Sequence, residues 1–367
     1  MRQNTADYRA LFLNDIPLMD VRAAIEFQRG AFPYAQNFPL LDDRQREIIG
    51  IEYKQKGQQA AIDLGWQLAT TDVVKQRLNR WCQFIRQHPQ GYLYCFRGGL
   101  RSRTTQQLLR DAGVDYPLVE GGYKAMRNYL LTELENLSQQ LPMIVIAGHT
   151  GSGKTELIQG INRSLDLEAI ARHRGSSFGS TDGKQPAQID FENQLSINLL
   201  KLSQAAGPVF IEDESRLIGR CALPPLLQSA MKKAPRVLVE EPLEQRAQRI
   251  VRDYVCEALP HFGGEAISAK ALGDKLRNNL NKIRKRLGGL RYQQLDAQLV
   301  EANGELERSG HHDAYIPLVI NLLREYYDGS YSYLMEKRES AILFRGNYDE
   351  VKEWLEKAVL HGIEESA

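Results

Sequence analysis

Two short loops in this chain carry the residue types that phosphate binding and nucleophilic sulfur chemistry require. Residues 148–155 are rich in glycine and end in Lys154-Thr155, a composition typical of loops that bind phosphate. Residues 95–102 begin with a cysteine and contain two glycines and two arginines, a composition that favours an ionised thiol. Together they predict a protein that handles a phosphorylated ligand and carries a reactive sulfur atom.

The glycine-rich loop matches the Walker A pattern Gly-x-x-x-x-Gly-Lys-Thr without a mismatch. In that pattern backbone N–H groups converge on an anion, the lysine neutralises charge and the threonine hydroxyl can hold Mg²⁺. The alternative is a glycine-rich turn with a surface lysine, but an apolar strand before the loop and a helix after it favour the phosphate site. The predicted contacts are Gly148, Thr150, Gly151, Ser152, Gly153, Lys154 and Thr155, with Mg²⁺ at Thr155.

Two segments further along the chain are candidates to complete this site. Acidic residues follow the strand over residues 209–211, and Asp213 is predicted to help bind the metal ion. The alternative is an ordinary strand end whose acidic side chains are solvated. A loop with arginine, histidine and serine suits a second phosphate or a nucleotide backbone, the alternative being a mobile polar loop. Its candidate residues, with one arginine beyond the strand, are Arg172, His173, Arg174, Ser176, Ser177 and Arg216.

The cysteine loop lies where a strand becomes a helix, so successive N–H groups can surround the sulfur atom and stabilise its thiolate form. Arginines add positive charge, and paired glycines permit a tight curl. The catalytic candidates are Cys95, Arg97, Gly98, Gly99 and Arg101. The other cysteines, at positions 82, 221 and 256, are predicted to be small buried hydrophobes.

The elements that must position these loops alternate between short strands and helices, which predicts an α/β fold with parallel sheets. Helices are predicted over residues 72–88, 101–112, 123–140, 267–287 and 313–327, and strands over 92–94, 143–147, 209–211 and 237–239. No strand is predicted beyond about residue 265. The predicted domains are 1–138, 139–264 with the phosphate loop, and a helical, basic extension over 265–367.

Composition limits the class of protein. The chain has 367 residues and a net charge of +1, so a polyanionic partner would need a local basic patch. No apolar run is long enough to cross a bilayer, the first residues lack a signal-peptide core, and the four cysteines show no disulfide or zinc spacing. We expect a reduced, cytoplasmic protein with no membrane partner.

The first part of the chain, about residues 8–130, resembles rhodanese domains. The resemblance rests on six segments in order: Asp20-Val-Arg22, Glu26-Phe27, the loop from Gly30 to Pro39, the cysteine loop, Leu108-Leu-Arg-Asp-Ala-Gly113 and Glu120-Gly-Gly-Tyr-Lys-Ala125. Rhodanese domains carry sulfur or selenium as a persulfide or perselenide on the loop cysteine. The spacing Cys-x5-Arg-Ser is also found in cysteine phosphatases of this fold, so spacing alone leaves both chemistries open. The apolar Phe96 and Leu100, and the lack of a nearby general acid, favour transfer.

A rhodanese-like domain ahead of a phosphate-loop domain, with the segment His173-Arg-Gly-Ser-Ser-Phe-Gly179, resembles the bacterial tRNA 2-selenouridine synthase family. That family replaces the sulfur of wobble 2-thiouridine by selenium from selenophosphate, and attaches a geranyl group from geranyl diphosphate to that sulfur. The resemblance implies that Cys95 receives selenium or assists its delivery. It also implies the tRNA anticodon loop and a selenophosphate-producing enzyme as partners. Whether the phosphate loop binds geranyl diphosphate or a nucleotide stays open.

A tRNA partner needs a basic surface, and one segment of the extension supplies it. The candidate RNA contacts are Lys275, Arg277, Lys282, Arg284, Lys285, Arg286 and Arg291, preceded by Arg246, Arg249 and Arg252 at helical spacing. The alternative for any one of them is a solvated basic helix face. Two other functions remain open at this stage. One is a sulfurtransferase or Cys-x5-Arg phosphatase fused to a nucleotide-binding regulatory domain, and the other is a non-catalytic RNA-binding or signalling protein.

Overall fold

The computed structural model describes residues 2–176, 178–179, 183–258, 265–329, 331, 335 and 338–361. The chain divides into two compact units. Unit 1 comprises residues 1–137 and 187–201, and unit 2 comprises residues 138–186 and 202–367. Residues 187–201 lie in unit 1, and the segment predicted as a C-terminal extension lies in unit 2.

Unit 1 is built on a parallel sheet with the strand order β2-β1-β3, in which Leu18 aligns with both Ala35 and Tyr92. Its strands are β1 (Leu18–Asp20), β2 (Ala35–Asn37) and β3 (Tyr92–Tyr94). Its helices are α1 (Tyr8–Leu13), α2 (Ala24–Arg29), α3 (Asp43–Leu68), α4 (Thr71–Gln87), α5 (Leu100–Asp111), α6 (Gly122–Gln140) and α9 (Gln188–Leu202). The helices predicted over 72–88, 101–112 and 123–140 are confirmed to within a residue.

The core of unit 1 holds the end of β3 in place. Leu93 is fully buried and packs in one cluster with Trp81 and Phe84 of α4 and Leu109 of α5. Cys95 belongs to the same cluster, so the residue that follows β3 is fixed by the packing of two helices.

Helix α9 belongs to unit 1 because its polar side chains bond to that unit's backbone. The Ser196 hydroxyl donates to the carbonyl oxygen of Leu130 at 2.6 Å, and the Asn193 amide donates to that of Ala31 at 2.8 Å. Sequence periodicity cannot report such contacts, which join segments far apart in the chain.

Helix α3 differs from the other long helices of unit 1 in burying almost nothing. It has 26 residues, of which only Ala61 is buried. At Gly57 the backbone leaves the helical region, with a φ of 85° and a ψ of −173°, so the helix consists of two arms that meet at a kink. A left-handed φ of this kind is tolerated by glycine because it lacks a Cβ atom.

Unit 2 is built on a parallel sheet with the strand order β10-β9-β4-β6-β5. Its strands are β4 (Met143–Gly148), β5 (Ser164–Leu165), β6 (Val209–Glu212), β9 (Arg236–Val239) and β10 (Ile342–Gly346), with a separate antiparallel pair β7 (Leu217–Ile218) and β8 (Cys221–Ala222). Its helices are α7 (Lys154–Gln159), α8 (Leu167–Ala171), α10 (Pro225–Lys233), α11 (Leu243–Val251), α12 (Glu265–Leu287), α13 (Gly289–Ser309), α14 (Tyr315–Leu322) and α15 (Tyr348–His361). π-Helical turns follow α11 at Arg252–Cys256 and α14 at Leu323–Asp328.

The prediction that no strand follows residue 265 is wrong, since β10 pairs with β9 at the edge of the sheet.

All six residues of the phosphate-loop strand β4 are buried. Leu272, Leu276 and Leu280 of α12 recur at helical spacing and face a second apolar core shared with α13 and α14. In the part of the chain that the structure describes, no helix is both long and apolar enough to cross a membrane.

Candidate functional site

The phosphate loop connects β4 to α7 through a tightly curled backbone. Gly151 and Gly153 have φ angles of 82° and 91°, a region that favours glycine. A Cβ atom at Gly151 would also lie 2.8 Å from the carbonyl oxygen of Arg246. The Lys154 ammonium donates to the carbonyl oxygen of Gly148 at 2.6 Å, so this side chain folds back across the loop and holds its positive charge there. This is the geometry of an anion-binding loop.

Two arginines of α11 support this loop from outside. Arg246 donates to the carbonyl oxygen of Thr150 at 2.9 Å and forms a two-bonded ion pair with Asp328. Arg249 donates to the carbonyl oxygen of Gly151 at 2.9 Å. Because Arg246 is only 5% exposed, the expectation that these arginines belong to an RNA surface is corrected: they hold the phosphate loop.

A cluster of three carboxylates lies beside the phosphate loop. Glu168, Glu212 and Glu214 each place a carboxylate oxygen within 4.8 Å of the others. The Thr155 hydroxyl donates to Glu168 Oε2 at 3.1 Å, so the cluster adjoins the threonine predicted to hold Mg²⁺. Carboxylate and hydroxyl oxygens are the ligands that Mg²⁺ prefers in proteins.

The carboxylates of this cluster resist ionisation. Burial, together with the charge of Glu168, raises the pKa of Glu214 to about 8. Burial and the same neighbour raise the pKa of Glu212 well above its usual value, and burial also raises that of Glu168. A bound cation would reverse this effect, since it favours the charged forms.

Asp213 does not join the cluster, which corrects the sequence prediction for the metal carboxylate. It accepts hydrogen bonds from Arg338 at 2.7 Å and from the Tyr331 hydroxyl at 3.2 Å. Strand β6 ends at Glu212, and Asp213 lines the same cavity as Glu212 and Glu214 with its carboxylate engaged by Arg338 and Tyr331.

A cavity of about 1600 Å³ opens above the phosphate loop and brings the second predicted anion segment to it. Arg174 lies over the ring of Tyr254 at 5.2 Å, and the Ser176 hydroxyl is 3.1 Å from the Tyr254 hydroxyl. Burial lowers the pKa of His173. The predicted residues of the second site that line the cavity are Arg172, His173, Arg174, Ser176 and Arg216, while Ser177 lies outside the described residues.

The basic segment, which covers α12 and the start of α13, is only partly available to a polyanion. Arg277 forms a two-bonded ion pair with Asp296, and Arg291 pairs with Glu325 at 2.7 Å. Lys285 is exposed, as are Arg277 and Arg291. The remaining members each have a contact or are partly buried. Lys275 is partly buried, and Lys282 donates a hydrogen bond to Asn279. Arg284 lies over the ring of Tyr292, and Arg286 donates to the Tyr326 hydroxyl and lines the cavity.

A narrow apolar slot of about 70 Å³ adjoins the cavity. Thr150 of the phosphate loop and Tyr254 line both spaces, so they mark where the two meet. The slot runs between α11 and the helices of the C-terminal region. Its walls come from Ile250, Val255, Leu276, Leu280, Leu299, Leu318, Val319 and Leu322, with Phe178 and Tyr315 among the other lining residues. We call this space the apolar slot.

In unit 1, the cysteine loop is fixed by a glycine turn before α6. The N–H of Tyr123 donates to the carbonyl oxygen of Cys95 at 2.8 Å, and that of Lys124 donates to the carbonyl oxygen of Phe96 at 2.9 Å. Gly98 has a φ of 63°, and a Cβ atom there would lie 2.7 Å from the nitrogen of Gly121. The two glycine-containing segments therefore interlock.

Arg101 is engaged with a carboxylate. It donates to the two oxygens of Glu26 at 2.6 and 3.1 Å, while Arg97 is exposed. Burial alone would raise the pKa of Glu26, but the hydrogen bonds and charge of Arg101 outweigh it and leave that pKa below its usual value. The expectation that both arginines add net positive charge to the loop is therefore corrected, since Glu26 neutralises Arg101.

A pocket of about 710 Å³ lies beside the cysteine loop, and we call it the thiol pocket. Its floor includes Cys95, which is 3% exposed, together with Phe96 and Leu108. Both arms of α3 contribute walls, including Ile51 and Trp66. Sequence reasoning missed these residues because α3 lacks the apolar stripe that marks a packed helix. It also missed Glu168, which only the fold brings to Thr155, and Glu214, whose carboxylate lies within 4.8 Å of that of Glu168.

Comparison with known proteins decides the family. The family model described as "tRNA 2-selenouridine synthase AAA domain" matches residues 141–361. The chain belongs to the tRNA 2-selenouridine synthase family. The protein of that name from Alcanivorax borkumensis is 50% identical over 97% of this chain and 99% of its own length. The protein of that name from Marinobacter nauticus is 47% identical over 96% of this chain and 97% of its own length. The one from Pseudomonas syringae pv. tomato is 49% identical over 97% of this chain and 98% of its own length.

Proposed function

We propose that this protein replaces the sulfur of wobble 2-thiouridine in tRNA by selenium from selenophosphate, through an S-geranyl intermediate made from geranyl diphosphate. Its family membership and the name of its relatives support the tRNA substrate and the selenium product. The geranylation step needs separate support, and the surroundings of the phosphate loop supply it.

The observation that carries the geranylation step is the apolar slot that meets the phosphate loop at Thr150. A phosphate loop alone suits a nucleotide and a prenyl diphosphate equally, because both present the same oxygens. The slot favours the prenyl diphosphate, because its aliphatic walls match a hydrocarbon chain, whereas a nucleoside needs polar partners for its base and ribose. We propose that geranyl diphosphate binds with its diphosphate on the loop and its hydrocarbon chain entering the slot, which at about 70 Å³ must widen to take the whole chain.

The carboxylate cluster fits a divalent cation bound with the diphosphate. Thr155, Glu168, Glu212 and Glu214 would hold Mg²⁺, which supplies positive charge to the phosphate oxygens when bound. Lys154 adds a further charge, and the loop N–H groups bind the leaving diphosphate. In this step the thiouridine sulfur attacks the first carbon of the geranyl group, and that carbon's bond to oxygen breaks.

The cysteine loop is proposed to serve the second step, in which selenium replaces the alkylated sulfur at C2 of the base. Cys95 takes part in delivering selenium, and the exposed Arg97 beside it offers a cation for phosphate. Alkylation prepares this step because a geranyl thiolate leaves the base more readily than sulfide does.

The tRNA is proposed to approach unit 2 over the C-terminal part of α12. Lys285 is exposed and Arg286 lines the cavity above the phosphate loop, and both observations support contacts of these cations with RNA phosphates. Arg284 lies 5.0 Å from the ring of Tyr292, which forms a cationic and aromatic surface suited to an unpaired base.

A phosphatase role for the Cys-x5-Arg loop is less well supported. Phosphate ester hydrolysis uses a general acid to protonate the leaving group. The carboxyl group that contacts the loop arginine is Glu26, whose lowered pKa keeps it ionised at neutral pH. It is therefore a poor proton donor there.

The test is nucleoside mass analysis of 2-thiouridine tRNA incubated with the protein. With geranyl diphosphate alone, S-geranyl-2-thiouridine should accumulate, and with selenophosphate added it should be converted to 2-selenouridine. Adenosine triphosphate in place of geranyl diphosphate should support neither product. Selenium incorporation that proceeds equally well without geranyl diphosphate would contradict the proposed intermediate.

A further inference from the structure

Helix α3 exposes more apolar surface than any structural role in unit 1 explains. Large side chains that line the thiol pocket are about half exposed: Ile51 49%, Tyr53 56%, Trp66 53% and Leu100 51%. A helix of this length is normally stabilised by burying an apolar face. An exposed apolar patch of this kind on a folded unit marks a binding surface.

The two arms of α3 form opposite sides of one pocket. Ile49, Ile51 and Tyr53 come from the arm before Gly57, and Ile62 and Trp66 come from the arm after it. The floor between them holds Cys95 and Phe96. At about 710 Å³, the thiol pocket has the size and apolar character of a site for a medium-sized organic group.

Selenophosphate does not account for such walls, since it is small and highly charged. The rim has a different character from the walls, because cations outnumber carboxylates there. Lys54 and Arg97 are exposed, and Arg77 also lines the pocket. Arg101 is paired with Glu26, and Glu47 is a further carboxylate in the lining. Apolar walls, aromatic side chains and a cationic rim together match a nucleobase that carries a hydrocarbon substituent and is flanked by phosphates.

We propose that the thiol pocket binds the S-geranyl group of the modified wobble base, with the geranyl chain between the arms of α3 and the base near Cys95. This inference rests on the proposed function, because it takes the S-geranyl intermediate as the substrate of the second step. The apolar slot of unit 2 binds the geranyl group as a diphosphate, and the thiol pocket binds it as the leaving thiol.

The step at this pocket balances without an added oxidant or reductant. A carbon–selenium bond forms at C2 and the C2–sulfur bond breaks, so that the geranyl thiolate leaves and takes up a proton. Water cleaves the selenium–phosphorus bond. S-Geranyl-2-thiouridine, selenophosphate and water therefore give 2-selenouridine, inorganic phosphate and geranylthiol. Apolar walls beside C2 stabilise the geranylthiol as it separates from the base.

The experiment compares binding of two synthetic anticodon stem-loops to the full-length protein, one with S-geranyl-2-thiouridine and one with 2-thiouridine. Fluorescence anisotropy should show the geranylated loop bound about tenfold more tightly or better, since its chain is removed from water. Trp66→Ala and Ile51→Ala, one variant for each arm, should lose most of this preference. Tyr34→Ala is the matched control, because Tyr34 is 49% exposed in the same unit but does not line the thiol pocket.

The outcomes separate this inference from the function on which it rests. Failure of the wild-type protein to form any S-geranyl product would overturn the proposed function itself. If the wild-type protein forms and converts that product while both α3 variants keep the tenfold preference, the inference alone is wrong. Leu280→Phe narrows the apolar slot. If this variant loses the preference and the α3 variants keep it, the geranyl group binds in unit 2 and the inference is wrong. If the α3 variants instead turn a dimer into a monomer and bind the geranylated loop normally, this face is a contact between copies, and the inference is equally wrong.

Discussion

At the scale of single residues, the ion pair between Glu26 and Arg101 couples the cysteine loop to the rest of unit 1. Glu26→Gln should lower the free energy of unfolding by about 1–3 kcal/mol, because it removes charge-assisted hydrogen bonds from a largely buried site. Glu52→Gln is the control, since its pair with Lys56, one turn away within α3, is worth roughly 0.3–0.5 kcal/mol. Urea unfolding at pH 7 measures both, and equal losses would contradict a special role for the pair.

The same pair predicts a pH dependence with a definite sign. The pKa of Glu26 is lower in the folded state than its ordinary value of 4.5. The ionised Glu26 therefore stabilises the fold fully above pH 4.5. This stabilisation is lost as the pH falls through the lower pKa that Glu26 has in the folded protein. The difference in unfolding free energy between the wild-type protein and Glu26→Gln should shrink in that acid range. A difference that stays constant down to pH 3 would argue against an ionic contribution.

The carboxylate cluster predicts the opposite trend. Glu214 has a folded pKa of about 8 against an ordinary value of 4.5, so without metal the protein should lose stability as the pH rises between these values. Mg²⁺ should raise the melting temperature more at pH 8 than at pH 5. The cation competes with protons for the carboxylate oxygens, and fewer protons are bound at the higher pH. Glu214→Gln should flatten the profile, and Glu301→Gln, an exposed control, should not. An Mg²⁺ effect that is the same in both variants would place the cation elsewhere.

Sequence reasoning found the two loops because each is encoded locally. The spacing of Gly148, Gly153 and Lys154 and the position of Cys95 after a short strand need no knowledge of the fold. Glu168 and Arg246 could not be found in this way. Their roles depend on contacts with Thr155 and Thr150, and the second of these pairs lies 96 residues apart in the chain.

At the scale of secondary-structure elements, α12 offers a test of which cations meet RNA. Lys285→Ala should weaken tRNA binding several-fold and reduce the slope of log affinity against log salt by about one, as expected for one lost phosphate contact. Arg277→Ala is the matched control, because that arginine is already paired with Asp296. Binding titrations at several salt concentrations measure both, and equal effects would show that the ion pair opens on binding.

The apolar slot between α11 and the C-terminal helices gives a second test at this scale. Leu280→Phe should raise the KM for geranyl diphosphate, while the shorter dimethylallyl diphosphate should be used as before. Leu295→Phe overpacks the same apolar core without lining the slot, at a similar cost of about 1–3 kcal/mol in stability. If the control raises the KM equally, the effect is one of general destabilisation.

Elements whose placement depends on distant partners were those that sequence reasoning misjudged. Ile342 to Gly346 form a strand because β9 presents an open edge, although the segment alone carries a weak strand pattern. Helix α9 follows the phosphate-loop segment in sequence, yet Asn193 and Ser196 bond to unit 1. Buried helices such as α4 and α5 were found because their apolar periodicity records the core they face.

At the scale of the whole molecule, the chain carries two sites in two units, each with its own apolar space. The phosphate loop, the carboxylate cluster and the apolar slot belong to unit 2, and the cysteine loop and the thiol pocket belong to unit 1. Under the proposed function, prenylation and selenium transfer are therefore separable reactions. Each should fail independently when its own site is altered.

The most direct measurement of this claim is nucleoside mass analysis with Cys95→Ala and Lys154→Ala proteins on two starting tRNAs. From 2-thiouridine tRNA with both co-substrates, Cys95→Ala should accumulate S-geranyl-2-thiouridine and Lys154→Ala should leave the thiouridine unchanged. From tRNA that is already geranylated, Lys154→Ala should form 2-selenouridine with selenophosphate, and Cys95→Ala should not. Loss of both reactions in both variants, with each protein folded and binding tRNA, would contradict the division of the two steps between the two loops.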